Sequence, residues 1–158
     1  MRKVFAALAT LLMVAVVVQF LLAGAGAFDS APTDESFAPH RALGYGILLF
    51  AVVLTLVAAV ARMPGRLVGM TGLVAGLVVV QAVIGMVAGA VGETDGTTNT
   101  AGQLIFGLHA VNGLIIVAVV GRILRQAREL SARPARRPRA AVGEEASRPV
   151  ADPAHPAP

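Results

Sequence analysis

Two histidines, His40 and His109, stand beside or within long apolar runs, where imidazole is the side chain best able to carry a proton or ligate a metal. His40 follows Phe37-Ala38-Pro39 and precedes Arg41, while His109 lies in Phe106-Gly107-Leu108-His109-Ala110-Val111-Asn112. An ionisable group at membrane depth costs free energy and usually has a task. Neutral imidazole ligates iron, and cofactors in helical bundles are gripped by side chains of facing helices. Arg41 is placed where a haem propionate reaching the aqueous edge would want a cation. Gly44, one turn on from His40, would leave room for a flat ring, with Gly46 a weaker candidate. Spacing alone leaves haem and a quinone head group as alternatives.

Two further polar residues bear on the same region. His109 and Asn112 share a helix face, and Gln81 falls mid-way along the preceding apolar run, where its amide needs a partner. Consecutive spans joined by a short loop pack together, so His109 or Asn112 is expected to supply that partner. A satisfied interhelical hydrogen bond is the plain reading of all three; cofactor binding is the sharper one.

The elements that must position these residues are apolar spans. The chain has 158 residues, of which 56% are hydrophobic and 14% charged. A soluble domain carries nearly twice that share of charge. Four uncharged or nearly uncharged runs, at about 4–23, 40–61, 67–91 and 101–124, are each long enough to cross a ~30 Å hydrocarbon core as a helix. In lipid the backbone must satisfy itself internally, so helices are expected despite abundant Val and Gly. The expected fold is an all-α integral membrane four-helix bundle over residues 1–128. Residues 129–158, rich in Ala, Pro and Arg, are expected to be a disordered tail.

Charge placement sets the expected topology. Arg2, Lys3, Arg62, Arg66, Arg122, Arg125 and Arg128 fall at one end, while Asp29, Asp34, Glu35, Glu93 and Asp95 fall at the other with Arg41 as the single base. The positive-inside rule then puts both termini in the cytoplasm of a multi-pass cell-membrane protein. Its partners would be the lipid bilayer and, at the basic tail, anionic lipids. Nucleic acid is not expected, despite a net charge of +4. The Ala-Gly-Ala-Gly-Ala stretch ending at Ala27 resembles a signal-peptidase site, but the run before it exceeds a signal h-region, so the first span is expected to be retained. Gly72 with Gly76 and Gly85 with Gly89 read as close-packing faces within the bundle or, alternatively, as a homodimer face. The chain has no cysteine, and no nucleotide-binding, Ser/His/Asp or paired-carboxylate pattern is visible.

His40-Arg41-Ala42-Leu43-Gly44, Gln81-Ala82-Val83-Ile84-Gly85 and His109 together resemble one four-helix half of haem A synthase over residues 1 to about 125. The resemblance implies a bundle with a histidine on its second and fourth spans, and haem b held between His40 and His109 as axial ligands. The synthase has two such halves, with an acid about one turn before the catalytic His-Arg pair. Here Glu35 is five residues before His40 with Pro39 between them. Haem retention for electron transfer or haem handling is therefore expected rather than enzymatic hydroxylation. The cofactor-binding set would be His40, His109, Arg41, Gly44, Gln81 and Asn112, with the two histidines on the metal. The chain is also similar to small uncharacterised four-helix bacterial membrane proteins sharing Pro-His-Arg and His-x-x-Asn-Gly patterns. A non-haem accessory membrane protein with packing histidines is the competing class.

Overall fold

The computed structural model describes residues 1–94 and 97–132; the tail proposed from the sequence lies, from residue 133 on, outside the described residues. Four long helices dominate: α1 (Arg2–Ala27), α3 (Ala38–Val60), α4 (Gly65–Gly92) and α5 (Thr100–Ala132). A one-turn helix α2 (Thr33–Ser36) lies in the α1–α3 connection, and two-residue strands β1 (Glu93–Thr94) and β2 (Thr97–Thr98) pair antiparallel between α4 and α5. All four long helices are long and apolar enough to cross a membrane.

The helices form a closed ring in which α1 packs on α3, α3 on α4, α4 on α5 and α5 back on α1. Helices α3 and α5, which carry the histidines, are therefore diagonal neighbours. Each helix buries a narrow stripe at three- and four-residue spacing: Phe5, Ala9, Leu12 and Val16; Ile47, Ala51, Leu54 and Ala58; Leu67, Thr71 and Val74; Ile116, Val120, Ile123 and Ala127. That spacing is the seam of a helical bundle. Large apolar side chains on the other faces point outwards, with Leu21 and Leu49 both 67% exposed and Met86 72%. Such a surface suits hydrocarbon rather than water. Hydroxyls inside the spans turn back on their own helices: Thr10 donates to Ala6 C=O at 2.9 Å and Thr55 to Ala51 C=O at 2.7 Å.

Three connections fix the register of the ring. At the end of α3, Met63 N–H donates to Ala58 C=O and Arg62 N–H to Ala59 C=O, the pair of bonds of a Schellman ending, with Arg62 left-handed at φ 50°. An L-residue pays about 1–2 kcal/mol for that conformation, whereas glycine does not. Arg62→Gly is accordingly expected to raise stability by about 0.5–1 kcal/mol after glycine's greater unfolded entropy is offset, read as a higher thermal midpoint in detergent. A lowered midpoint would show that the guanidinium contributes more than the turn.

At the opposite end, Asn99 caps α5 by accepting Gly102 N–H at 2.7 Å, and its amide donates to Val91 C=O at 2.6 Å, stapling α4 to α5. The third connection folds over α3. A Cβ on Gly26 would lie 2.8 Å from Ser36 C=O and 3.2 Å from the Phe37 ring, so the loop lies directly on α1 there. Gly26→Ala must displace backbone, and is expected to cost about 1–3 kcal/mol in stability and to loosen the start of α3. An unchanged thermal midpoint would mean the loop does not rest on α1.

Candidate functional site

The bundle has two storeys. The apolar stripes fill the half containing the α3–α4 turn. The other half holds Gln19 on α1, His40 on α3, Gln81 on α4 and His109 and Asn112 on α5, one or two polar groups from every long helix.

Sequence position makes His40 and His109 look unequal in depth, since His40 is near the start of α3 while His109 is well inside α5. The structure brings their rings to 6.2 Å between centroids, with 46° between planes. Unequal helix ends reconcile the two. Helices α1, α4 and α5 all continue beyond the polar layer, to Ala27, to Gly92 and back to Thr100, whereas α3 begins only at Ala38. The α1–α3 loop descends along α1 to Gly26 and delivers Phe37 and His40 below the other helix ends. Phe37 then packs edge-on to His40, with centroids 6.1 Å apart, while Phe106 stacks on His109 at 5.4 Å and 2°.

Each histidine is held by the helix preceding it, in the same way. Gln19 Nε2 donates to His40 C=O at 2.8 Å, and Gln81 Nε2 donates to His109 C=O at 2.8 Å. Four residues beyond each histidine stands a glycine, and both clear the amide that makes this bond. A Cβ on Gly44 would sit 3.2 Å from Gln19 Nε2, and one on Gly113 would sit 3.7 Å from Gln81 Nε2. The hairpins α1–α3 and α4–α5 therefore repeat one device: glutamine on the first helix, His-x-x-x-Gly on the second. Gly44 serves that device, with Gln19 Nε2 closing on the place its Cβ would take.

The repeat is imperfect in two ways. His40 Nδ1 lies 3.1 Å from Gln19 C=O, which can only accept, so Nδ1 carries a hydrogen and a neutral ring keeps its lone pair on Nε2. Among the described residues, His109 Nδ1 is buried without a hydrogen-bond partner, and Gly85 of α4 faces it, where a Cβ would lie 3.8 Å away. The second asymmetry concerns the amides. Asn112 donates to Leu77 C=O at 2.9 Å and to Gln81 Oε1, whereas Gln19 Oε1 is buried with no partner among the described residues. Leu43 stands where Asn112 would be in the first hairpin.

Arg41 is turned towards the loop. Its Nη1 is 3.6 Å from the Asp34 carboxylate and its Nη2 donates to Asp34 C=O. With Asp34 98% exposed, that pair is worth little and is readily exchanged. Of the glycine pairs, Gly72 faces Thr55 and Gly85 faces His109, while among the described residues nothing lies within 4 Å of a Cβ on Gly76 or Gly89, nor on Gly46 near the start of the helix that carries His40. Among the described residues no three His, Cys, Asp or Glu side chains gather into a protein-only metal centre. The site is a pair of imidazoles with amides behind them. Gln19, Phe20, Phe37, Phe106 and Gly113 were not singled out for it from the sequence, although the recurrence of His-x-x-x-Gly was there to be read.

A family of unknown function (DUF6220) matches residues 19–89. The match runs from Gln19 through His40 and Gln81 to Gly89, and so takes in the first hairpin's device and the α4 half of the second. It accords with the expected likeness to a family of unknown function. No curated protein and no solved structure matches the chain.

Proposed function

We propose that this chain is a multi-pass cell-membrane protein whose His40 and His109 hold one haem b between them, for electron transfer or haem handling rather than catalysis. The observation that carries the reading is the placement of the two rings across the bundle diagonal. Two imidazoles on opposite faces of one iron, with Fe–N bonds of about 2 Å and each centroid about 1 Å behind its nitrogen, stand roughly 6 Å apart between centroids. The rings here are at 6.2 Å. Two nitrogen donors suit an iron whose other four ligands come from a porphyrin, and suit a bare tetrahedral ion poorly.

Bound there, haem b supplies one-electron redox chemistry; the chain supplies position and environment. Gln19 C=O holds the His40 ring by its Nδ1 edge, the outer-shell arrangement that would orient a metal-ligating histidine. Phe37 and Phe106 support the ring orientations, and Arg41 can exchange its exposed partner for a propionate. The haem A synthase resemblance points the same way. After expression with haem available and purification in mild detergent, the ferric protein is expected to show a six-coordinate low-spin spectrum. His40→Ala and His109→Ala should each abolish it, and a low-spin spectrum surviving either substitution would refute the ligand assignment.

A second reading, packing histidines in a non-haem accessory protein, is favoured by the near-parallel Phe106–His109 stack. It predicts a colourless protein whose two variants lose only stability.

The arginines at the α1 start, the α3–α4 turn and the α5 end support a cytoplasmic position for that end, against anionic lipid, with the histidine layer in the extracytoplasmic half. Because the chain has no cysteine, single introduced ones report sidedness cleanly. Cysteine at Ser30 should react with an impermeant reagent from outside intact cells and cysteine at Pro64 should not; the reverse pattern inverts the topology. A homodimer would use either the Gly72–Gly76 or the Gly85–Gly89 face, in which Gly76 and Gly89 are the open members on different sides of α4.

A further inference from the structure

Resting on the haem reading, we propose that the two axial ligands are unequal, and that His109 is the exchangeable one, giving way to a small neutral diatomic ligand while His40 stays on the iron. The two hairpins depart from their shared device at the imidazole edge. In the first, the imidazole Nδ1–H of His40 is 3.1 Å from Gln19 C=O, so the ring is held at both its edge and its backbone. In the second, the backbone bond from Gln81 is kept at 2.8 Å but His109 Nδ1 is buried with no acceptor. A partner behind a ligating imidazole fixes its orientation and increases its donor strength, and its loss typically weakens metal binding by about 10–100-fold. His109 lacks that support.

Residue 85 is the reason. It faces the Nδ1–Cε1 edge of His109 at 3.8 and 3.9 Å from where a Cβ would be, and as glycine it offers neither a side chain nor an acceptor. A serine there fits without a clash, and its hydroxyl oxygen can come within hydrogen-bond reach of Nδ1. The asymmetry can thus be repaired by one residue, with alanine as the control for added bulk.

The test uses the full chain, reconstituted with haem b, reduced in detergent and exposed to carbon monoxide. The wild-type protein should bind it with loss of the six-coordinate bis-imidazole spectrum. His109→Ala should keep haem through His40, become five-coordinate and bind carbon monoxide without delay, whereas His40→Ala should retain about tenfold less haem. Gly85→Ser should bind carbon monoxide about tenfold more slowly than Gly85→Ala. Equal rates in the serine and alanine variants, or better haem retention by His40→Ala than by His109→Ala, would overturn the proposal. A wild-type bis-imidazole spectrum inert to carbon monoxide overturns the exchange alone, whereas a wild-type protein with no haem spectrum sinks the haem reading and this inference with it.

Discussion

Gly113→Val is expected to destabilise the bundle by about 1–3 kcal/mol and to lower haem retention in the same preparation, because overpacking forces neighbours off their rotamers. Gly113 is buried where α5 meets both α1 and α4. A Cβ there already lies 3.2 Å from Phe20 Cζ and 3.7 Å from Gln81 Nε2. The γ-methyls of valine must push one of them away. If Phe20 moves, Phe20→Leu should recover much of the loss; if Gln81 moves, the bond to His109 C=O breaks and no change at Phe20 helps. Thermal midpoints of the single and double variants separate the two. Equal stability of Gly113→Val and wild type would mean that α5 does not approach α1 and α4 as closely as described.

Gln81→Leu should have the second-largest effect. The amide makes the bond to His109 C=O at 2.8 Å and accepts from Asn112, so its loss removes one interaction and unpairs part of another, at about 1–3 kcal/mol. Asn112 keeps its bond to Leu77 C=O at 2.9 Å, which limits the damage. Because the two side chains share a network, Asn112→Leu in the Gln81→Leu background should cost clearly less than in the wild type. Strict additivity would show that the amides act separately. Gln19→Leu, whose Oε1 has no partner to abandon, should cost less than Gln81→Leu.

Much of the bundle was legible from the chain because lipid leaves few choices. The four apolar runs became α1, α3, α4 and α5, since only helices satisfy the backbone in hydrocarbon. Their ends were less legible. The apolar run closing at Leu124 continues as helix to Ala132, because leaving hydrocarbon does not oblige a helix rich in Arg, Gln, Leu and Glu to stop. The one-turn α2 was not visible at all: Asp34 and Glu35 in its first turn are equally at home in an acidic loop. The partnership of Gln81 with His109 and Asn112 followed from hairpin packing alone. The approach of His40 to His109 was implied by the haem reading, but how it is reached was not, because residue counting along α3 and α5 takes helix ends as level, whereas α3 begins below the end of α1. Gln19 also went unassigned, since its partner is a backbone carbonyl, which carries no mark in the side-chain sequence.

The two-fold repetition of the glutamine device gives the site its rigidity. Each histidine backbone is fixed at 2.8 Å by a neighbour from another helix, and each glycine four residues on keeps that neighbour close. Rings carried on such elements are held 6.2 Å apart between centroids, the separation that the proposed haem would require, and the apolar storey beneath holds the helices in register. The surrounding hydrocarbon and the covering loop would shield a bound porphyrin from water, leaving Arg41 near the aqueous edge.

The most direct test of this account is the haem content and reduced-minus-oxidised visible spectrum of the purified wild-type chain, measured per mole of protein. The account predicts close to one haem b per chain, with the sharp α band of a six-coordinate low-spin centre. A protein that folds as a helical bundle yet shows no haem bands when haem is supplied would contradict it.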